Sequence, residues 1–161
     1  MASKTNPLPE GYTSVTPYLS IKGAKEAIGF YQRAFGAKEL YRMEMPDGRI
    51  GHAELQIGDA RIMLADEMPD MPDAVTASPR TLHATTVGFN LYVEDVDARF
   101  ARAVAAGAVA KRPVDTKFYG DRSGTLEDPY GHVWTLATHV EDVTPDEMKR
   151  RMDDMMKKGP A

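Results

Sequence analysis

The chain has 161 residues, 24 acidic against 20 basic, a net charge of −4 and no cysteine. These totals fit one ordinary soluble domain, or two small halves sharing a core. They exclude disulfides and thiolate chemistry, and they argue against a nucleic-acid or anionic-membrane surface, where a basic excess is expected. No apolar run approaches the roughly 20 residues of a membrane span. The N-terminus has no apolar core like that of a signal peptide, so the expected location is cytoplasmic.

Residues 1–11 are polar and proline-punctuated, and read as a loosely held arm. Thr13–Ile21 is rich in β-formers and predicts a strand, with Pro17 best accommodated at an edge or bulge. From Gly23 to Phe35 the apolar residues Ala24, Ala27, Ile28, Tyr31 and Phe35 recur at helical spacing, and Gly36 supplies a stop. Lys38–Glu44 predicts a strand and Met45-Pro46-Asp47-Gly48 a turn. Arg49–Ile57 and Ala60–Ala65 predict a hairpin around Gly58-Asp59. This half reads βαβββ.

Asp66–Thr81 carries three prolines and little periodicity, so it is either a linker or a loop over a site. The pattern then restarts. Thr86–Val93 predicts a strand, Asp95–Ala106 a helix stopped by Gly107, and Ala110–Pro113 another strand. A hairpin follows, Gly124–Glu127 and His132–Thr138, joined by Asp128-Pro129-Tyr130-Gly131. At constant offset its sequence lies under Gly51–Leu64, matching Gly51 to Gly124, Glu54 to Glu127 and Gly58 to Gly131. This half is βαβββ again. Thr144–Lys158 predicts a final helix with Pro145 at its first position and a Thr144/Glu147 capping box. Its Met148, Met152 and Met155 form a stripe expected to pack on its own domain.

The order of elements, the helix end FYQRAFGA and the hairpin LEDPYGHVW resemble the vicinal oxygen chelate superfamily of glyoxalases, bleomycin resistance proteins and extradiol dioxygenases. PYLSI, IGHAELQIGDARIMLADE, LYVEDVDA and ATHVEDVTPDEM are similar to its PhnB-like branch. The resemblance implies an α+β fold. Two βαβββ modules (about 12–66 and 85–140, with a 67–84 linker) form an open U-shaped mixed sheet, followed by a C-terminal helix, in a single 161-residue domain. It also implies a homodimer and a small-molecule ligand.

In the family, metal ligands sit on the first and last strands of each module. The matching positions here are Thr16, Ile62 or Met63, Gly88 and Thr135. None is His, Asp or Glu, the ligands such divalent metals need, so no metal and no cofactor is expected. Strand alternation then gives the side chains that would line the cleft. These are Tyr18, His52, Glu54, Gln56, Asn90, Tyr92 and Thr135, joined by Tyr119 and Arg122 from the bend of the second module.

His52 and Glu54 project to one side of a strand and are the candidates for catalysis, as a base with its orienting carboxylate. Arg122 is read either as a clamp for an anionic ligand or as an internal ion pair with Asp121 or Glu127. His83 is expected to be solvated, His132 to be structural, and His139 to line the rim or neighbour Glu141. The leading reading is a metal-free small-molecule-binding protein, much as bleomycin resistance proteins are. The alternative is a lyase, isomerase or dioxygenase with its metal relocated to His52 and Glu54, and a third reading is a regulatory or assembly role with no ligand. Whether any reaction is catalysed stays open.

Overall fold

The computed structural model describes residues 6–71 and 76–158; positions 1–5 of the predicted arm and 72–75 of the predicted linker lie outside the described residues. The chain divides into two compact units. Residues 1–85 with 129–131 make the first, and residues 86–128 with 132–161 the second.

In the first module β1 (Tyr18–Ile21), α1 (Ala24–Phe35), β2 (Lys38–Glu44), β3 (Ile50–Ile57) and β4 (Ala60–Asp66) follow in the predicted order. The sheet order is β1-β4-β3-β2, with β1 parallel to β4 and the remaining pairs antiparallel. Alternation decides which side chains face the helix. Leu19, Ile21, Ala53, Leu55, Ile57, Ile62 and Leu64 are buried, as are Ala27, Ile28, Phe30, Tyr31, Ala34 and Phe35 of α1. Tyr31 stacks on Phe35 at 5.9 Å between ring centroids. Each fully buried large apolar side chain stabilises the module by about 1.5–3 kcal/mol.

The first strand is shorter than the predicted Thr13–Ile21, because Pro17 has no N–H to give to the ladder. Its carbonyl still accepts from Met63 N at 2.9 Å. Thr16 therefore precedes the strand and does not lie on it. α1 starts at Gly23, whose φ of 93° lies in the left-handed region and which offers no side-chain cap. Asp66 at the end of β4 supplies the cap instead. Its Oδ1 accepts from Gly23 N (3.0 Å) and Ala24 N (2.9 Å), and its Oδ2 from Ile50 N (2.7 Å).

The linker holds a short helix, α2 (Pro79–Leu82), which the sequence reading missed. Ser78 caps it, and Glu67 accepts from Ser78 N at 2.9 Å and Thr81 Oγ1 at 2.7 Å. His83 is exposed and ends this helix at a φ of 54°.

The second module repeats the plan with β5 (Gly88–Tyr92), α3 (Val96–Ala105), β6 (Val109–Thr116), β7 (Asp121–Glu127) and β8 (Val133–His139), in sheet order β5-β8-β7-β6. Here β6 runs past the predicted end at Pro113. As an edge strand it tolerates proline, and the register shifts between Arg112 and Asp115. Asp95 caps α3 through Ala98 N at 3.0 Å. Buried Asp128 accepts from His132 N and from Trp134 Nε1, both at 3.0 Å, which fixes the hairpin turn.

The repeat is real, but its register differs from the constant-offset match. Leu64 pairs with Leu19 and Ala53, while Leu136 pairs with Leu91 and Gly124. Gly124 therefore corresponds to Ala53, not Gly51, and Thr125, not Glu127, to Glu54. The second turn is one residue longer, so no single offset aligns both strands of the hairpin.

The final helix α4 (Pro145–Lys158) is capped by Thr144 Oγ1 on Glu147 N at 3.3 Å. Glu147 does not close the expected capping box. Its carboxylate binds Arg150 and Arg151, which hold its pKa down to about 2. Arg151 also reaches Glu141 at 2.6 Å. Met148 is partly buried while Met152 and Met155 are exposed, so the expected packing of the stripe on its own domain is met only at its first residue. Among the described residues no helix is long and apolar enough to cross a membrane.

Candidate functional site

Each sheet covers one face with its helix and leaves the other open. On the first open face β1 contributes Tyr18 and Ser20, β4 contributes Arg61, Met63 and a buried Ala65, and β3 contributes His52, Glu54 and Gln56. The register sets Tyr18, Met63, Glu54 and Tyr41 in one row across the four strands. It also decides between the two candidate family positions on β4. Ile62 is buried under α1, while Met63 lies in the open row beside Tyr18 and Glu54.

Three of the predicted site residues meet here. Tyr18 Oη lies 3.0 Å from His52 Nδ1, and His52 Nε2 lies 3.4 Å from Glu54 Oε1. A carboxylate only accepts, so Nε2 carries the imidazole proton and Nδ1 accepts from the Tyr18 hydroxyl. The result is a Tyr–His–Glu relay that polarises the phenolic oxygen of Tyr18. Burial raises the Tyr18 pKa. The Tyr12 hydroxyl, ahead of His52, holds the Glu54 carboxyl below its usual range. Gln56 takes no part in the relay and donates to Gly58 O at 3.1 Å, bracing its own turn.

Residues outside the predicted set complete this face. Tyr41 places its ring 6.2 Å from that of His52, and Tyr18 places its own at 5.6 Å. Both tyrosines are half-exposed, so the histidine lies between two available aromatic faces. From the arm, Tyr12 lies under the Arg61 guanidinium, whose Cζ is 4.5 Å from the ring centroid. Arg61 was legible in the alternation of β4, two positions before Met63. Tyr12 was not, because nothing local marks an arm that folds back.

On the second open face Tyr92 donates to Asp121 Oδ2 at 2.8 Å, and Asp121 Oδ1 lies 2.8 Å from His139 Nδ1. His139 Nε2 continues the chain to Asp142 at 3.0 Å. Bonds to Asp121 and then Asp142 raise the His139 pKa, while the bond to Asp121 raises that of Tyr92. Thr135 pairs with Thr125 through their hydroxyls at 3.1 Å. Asn90 is exposed in the same row as Thr135. Tyr119 precedes β7, edge-on to Phe118.

Arg122 faces the other way. Its neighbour Gly124, with the same strand parity, sits against Phe100 of α3, and Arg122 makes two 2.7 Å bonds to Asp97 on that helix. The ion pair is with Asp97, not with Asp121 or Glu127, and it turns the guanidinium away from the open face.

The family's metal positions do not fit a metal here. Thr16 and Thr135 offer hydroxyls, Met63 a thioether and Gly88 no side chain, and Thr135 is already paired with Thr125. Imidazole and carboxylate donors are what this chemistry requires. Among the described residues no group of three or more His, Asp or Glu is placed to hold a metal elsewhere. Both nitrogens of His52 are engaged, so a metal there would have to break a bond of the relay.

Residues 15–136 match the Glyoxalase/Bleomycin resistance protein/Dioxygenase superfamily. The chain belongs to this superfamily. An uncharacterized protein of Mycobacterium tuberculosis is 40% identical over 139 residues, which cover 86% of this chain and 82% of that one. The protein YjdN of Escherichia coli is 27% identical, covering 76% and 92%. Among solved structures, TioX from Micromonospora sp. ML1 matches with a TM-score of 0.62 and 28% identity, over 80% of this chain and 99% of that one. A PhnB protein from Bacillus cereus matches with a TM-score of 0.60 at 20% identity, over 78% and 99%, a likeness of fold.

Proposed function

We propose that this superfamily member binds a small polar or mixed aromatic ligand on the open face of its sheet, without the superfamily metal. The observation that carries the reading is the placement of His52 between Tyr18 and Glu54, with the rings of Tyr18 and Tyr41 beside it. Aromatic rings offer planar ligands a stacking surface, and a few placed polar groups fix their orientation. The polarised oxygen of Tyr18 and the carboxylate of Glu54 supply those groups.

A relocated metal at His52 and Glu54, serving a lyase, isomerase or dioxygenase, is disfavoured because the imidazole has no free nitrogen. Association as a homodimer belongs to the same reading. The edge strand β2 exposes Leu40, Tyr41 and Met43, an apolar strip suited to a second surface. On the second open face, Asn90, Tyr92, Thr135 and Tyr119 are the residues available to a ligand; Arg122 is not.

The test is a screen of aromatic acids, amines and phenols by NMR against chelator-treated protein. The expected hits shift the resonances of Tyr18, His52 and Glu54 and are lost in His52→Ala. Hits that bind only after a divalent metal is restored would overturn the reading.

A further inference from the structure

The segment before β1 doubles back over the open face of the first sheet. Its Tyr12 ring lies under the Arg61 guanidinium, 4.5 Å from Cζ to ring centroid. Gly11 makes this approach possible. At a φ of 78° it has no side chain, and a Cβ there would collide with the guanidinium of Arg61. A turn from Pro9 O to Tyr12 N at 3.2 Å fixes where the ring can reach. The Tyr12 hydroxyl is enclosed close to Glu54 but short of full hydrogen-bond geometry. A buried hydroxyl held off alignment forfeits part of the bond that water would have given it.

An arm that brings a phenol to a cation and a carboxylate, and leaves its hydroxyl poorly aligned, behaves as an imperfect ligand. We propose that the 6–12 arm is a displaceable strap whose Tyr12 occupies the ligand subsite between Arg61 and Glu54, and that this subsite takes a hydroxylated aromatic ring. The proposal rests on the reading of the first open face as ligand-binding, and it names the class of ligand. A free phenol can stack on Arg61 as Tyr12 does. Untethered from the turn at Pro9, it can also turn its hydroxyl onto Glu54 and make a better-aligned bond than Tyr12 does. The strap lowers the apparent affinity by the fraction of time it is closed.

The experiment titrates 4-methylphenol, with toluene as the control, into the parent chain, Tyr12→Ala and Gly11→Ala, followed by NMR. Gly11→Ala strains the left-handed turn that seats the strap while keeping the tyrosine, so the test does not depend on one variant folding. A strap closed about nine-tenths of the time predicts roughly tenfold tighter 4-methylphenol binding in both variants. The shifts should centre on Glu54 and Arg61, and toluene should bind clearly more weakly. Equal affinity in parent and variants, or toluene binding as well as 4-methylphenol, overturns the proposal. So does an absence of 4-methylphenol binding in all three chains. In that last case, any other compound that shifts His52 and Tyr18 leaves the broader binding function standing, so the two readings fail separately.

Discussion

Asp66 fastens together three parts of the first module, and removing it should loosen the frame that holds His52 and Glu54. Its carboxylate accepts from Gly23 N and Ala24 N at the start of α1 and from Ile50 N at the start of β3. Gly23 has no side chain to cap the helix, and Ala24 and Ile50 are 0% exposed. In Asp66→Ala two N–H groups on fully buried residues lose their acceptor, at about 1–3 kcal/mol each, and the more accessible Gly23 N–H adds less. The negative charge near the helix N-terminus goes too, worth roughly 0.3–1 kcal/mol.

The expected loss is about 3–6 kcal/mol, a large part of the ~5–15 kcal/mol typical of a domain. Asp66→Asn keeps one carbonyl acceptor and should lose roughly half as much. The assay is urea unfolding by circular dichroism, with native-state amide exchange of α1 and β3 as the readout local to the first module. Trp134, the one tryptophan, lies in the second module and serves as the contrasting probe. An Asp66→Ala cost below about 1 kcal/mol, or unchanged exchange at Ala24 and Ile50, would refute the reasoning.

Other outcomes follow from the same geometry. Gly124→Ala places a Cβ 2.8 Å from Phe100 Cε2 and 3.0 Å from Val114 N, and should destabilise the second module by about 1–3 kcal/mol in urea unfolding followed by Trp134 fluorescence. Arg122→Ala breaks the pair with Asp97 and should leave ligand shifts at Tyr18, His52 and Glu54 unchanged, since the guanidinium is on the helix side. His139 has its pKa raised by Asp121 and Asp142, so its cation is favoured in the folded chain. That stabilisation is fully present below the unfolded value of about 6.5 and is lost as pH rises through the raised folded value. Melting temperatures of the parent and His139→Gln should therefore converge as pH rises past that folded value; a pH-independent gap would contradict this.

Most of the fold could be read from the sequence because the local signals and the tertiary environment agree. Lys38–Glu44 is a strand with the predicted bounds, and α1 stops at Gly36, where a φ of 72° suits glycine. Errors came where one residue's chemistry competes with its neighbours'. Pro17 trims β1, whereas Pro113 sits inside β6 because that strand is an edge with irregular pairing. The helix α2 is four residues held by Ser78 and Glu67, too short to leave a periodic signal.

The candidate site divides the same way. Alternation placed Tyr18, His52 and Glu54 on one face, but it could not give the order of the relay. It misread Arg122, whose strand starts at Asp121, three residues before the predicted start at Gly124. Tyr12 and Asp121 acquire their partners only through chain reversals, and nothing adjacent in sequence announces these.

The central claim is a binding face that works without the superfamily metal, and metal content measured beside thermal shift tests it most directly. Protein purified without chelator would be assayed by elemental analysis and melted with added Zn²⁺, Mn²⁺, Ni²⁺ or Fe²⁺. A metal that binds the native state raises the midpoint by mass action, by RT ln(1 + [L]/Kd) in free energy. The account predicts well under one equivalent of metal per chain and no shift for any of the four ions. About one equivalent with a clear shift, both lost in His52→Ala, would contradict it.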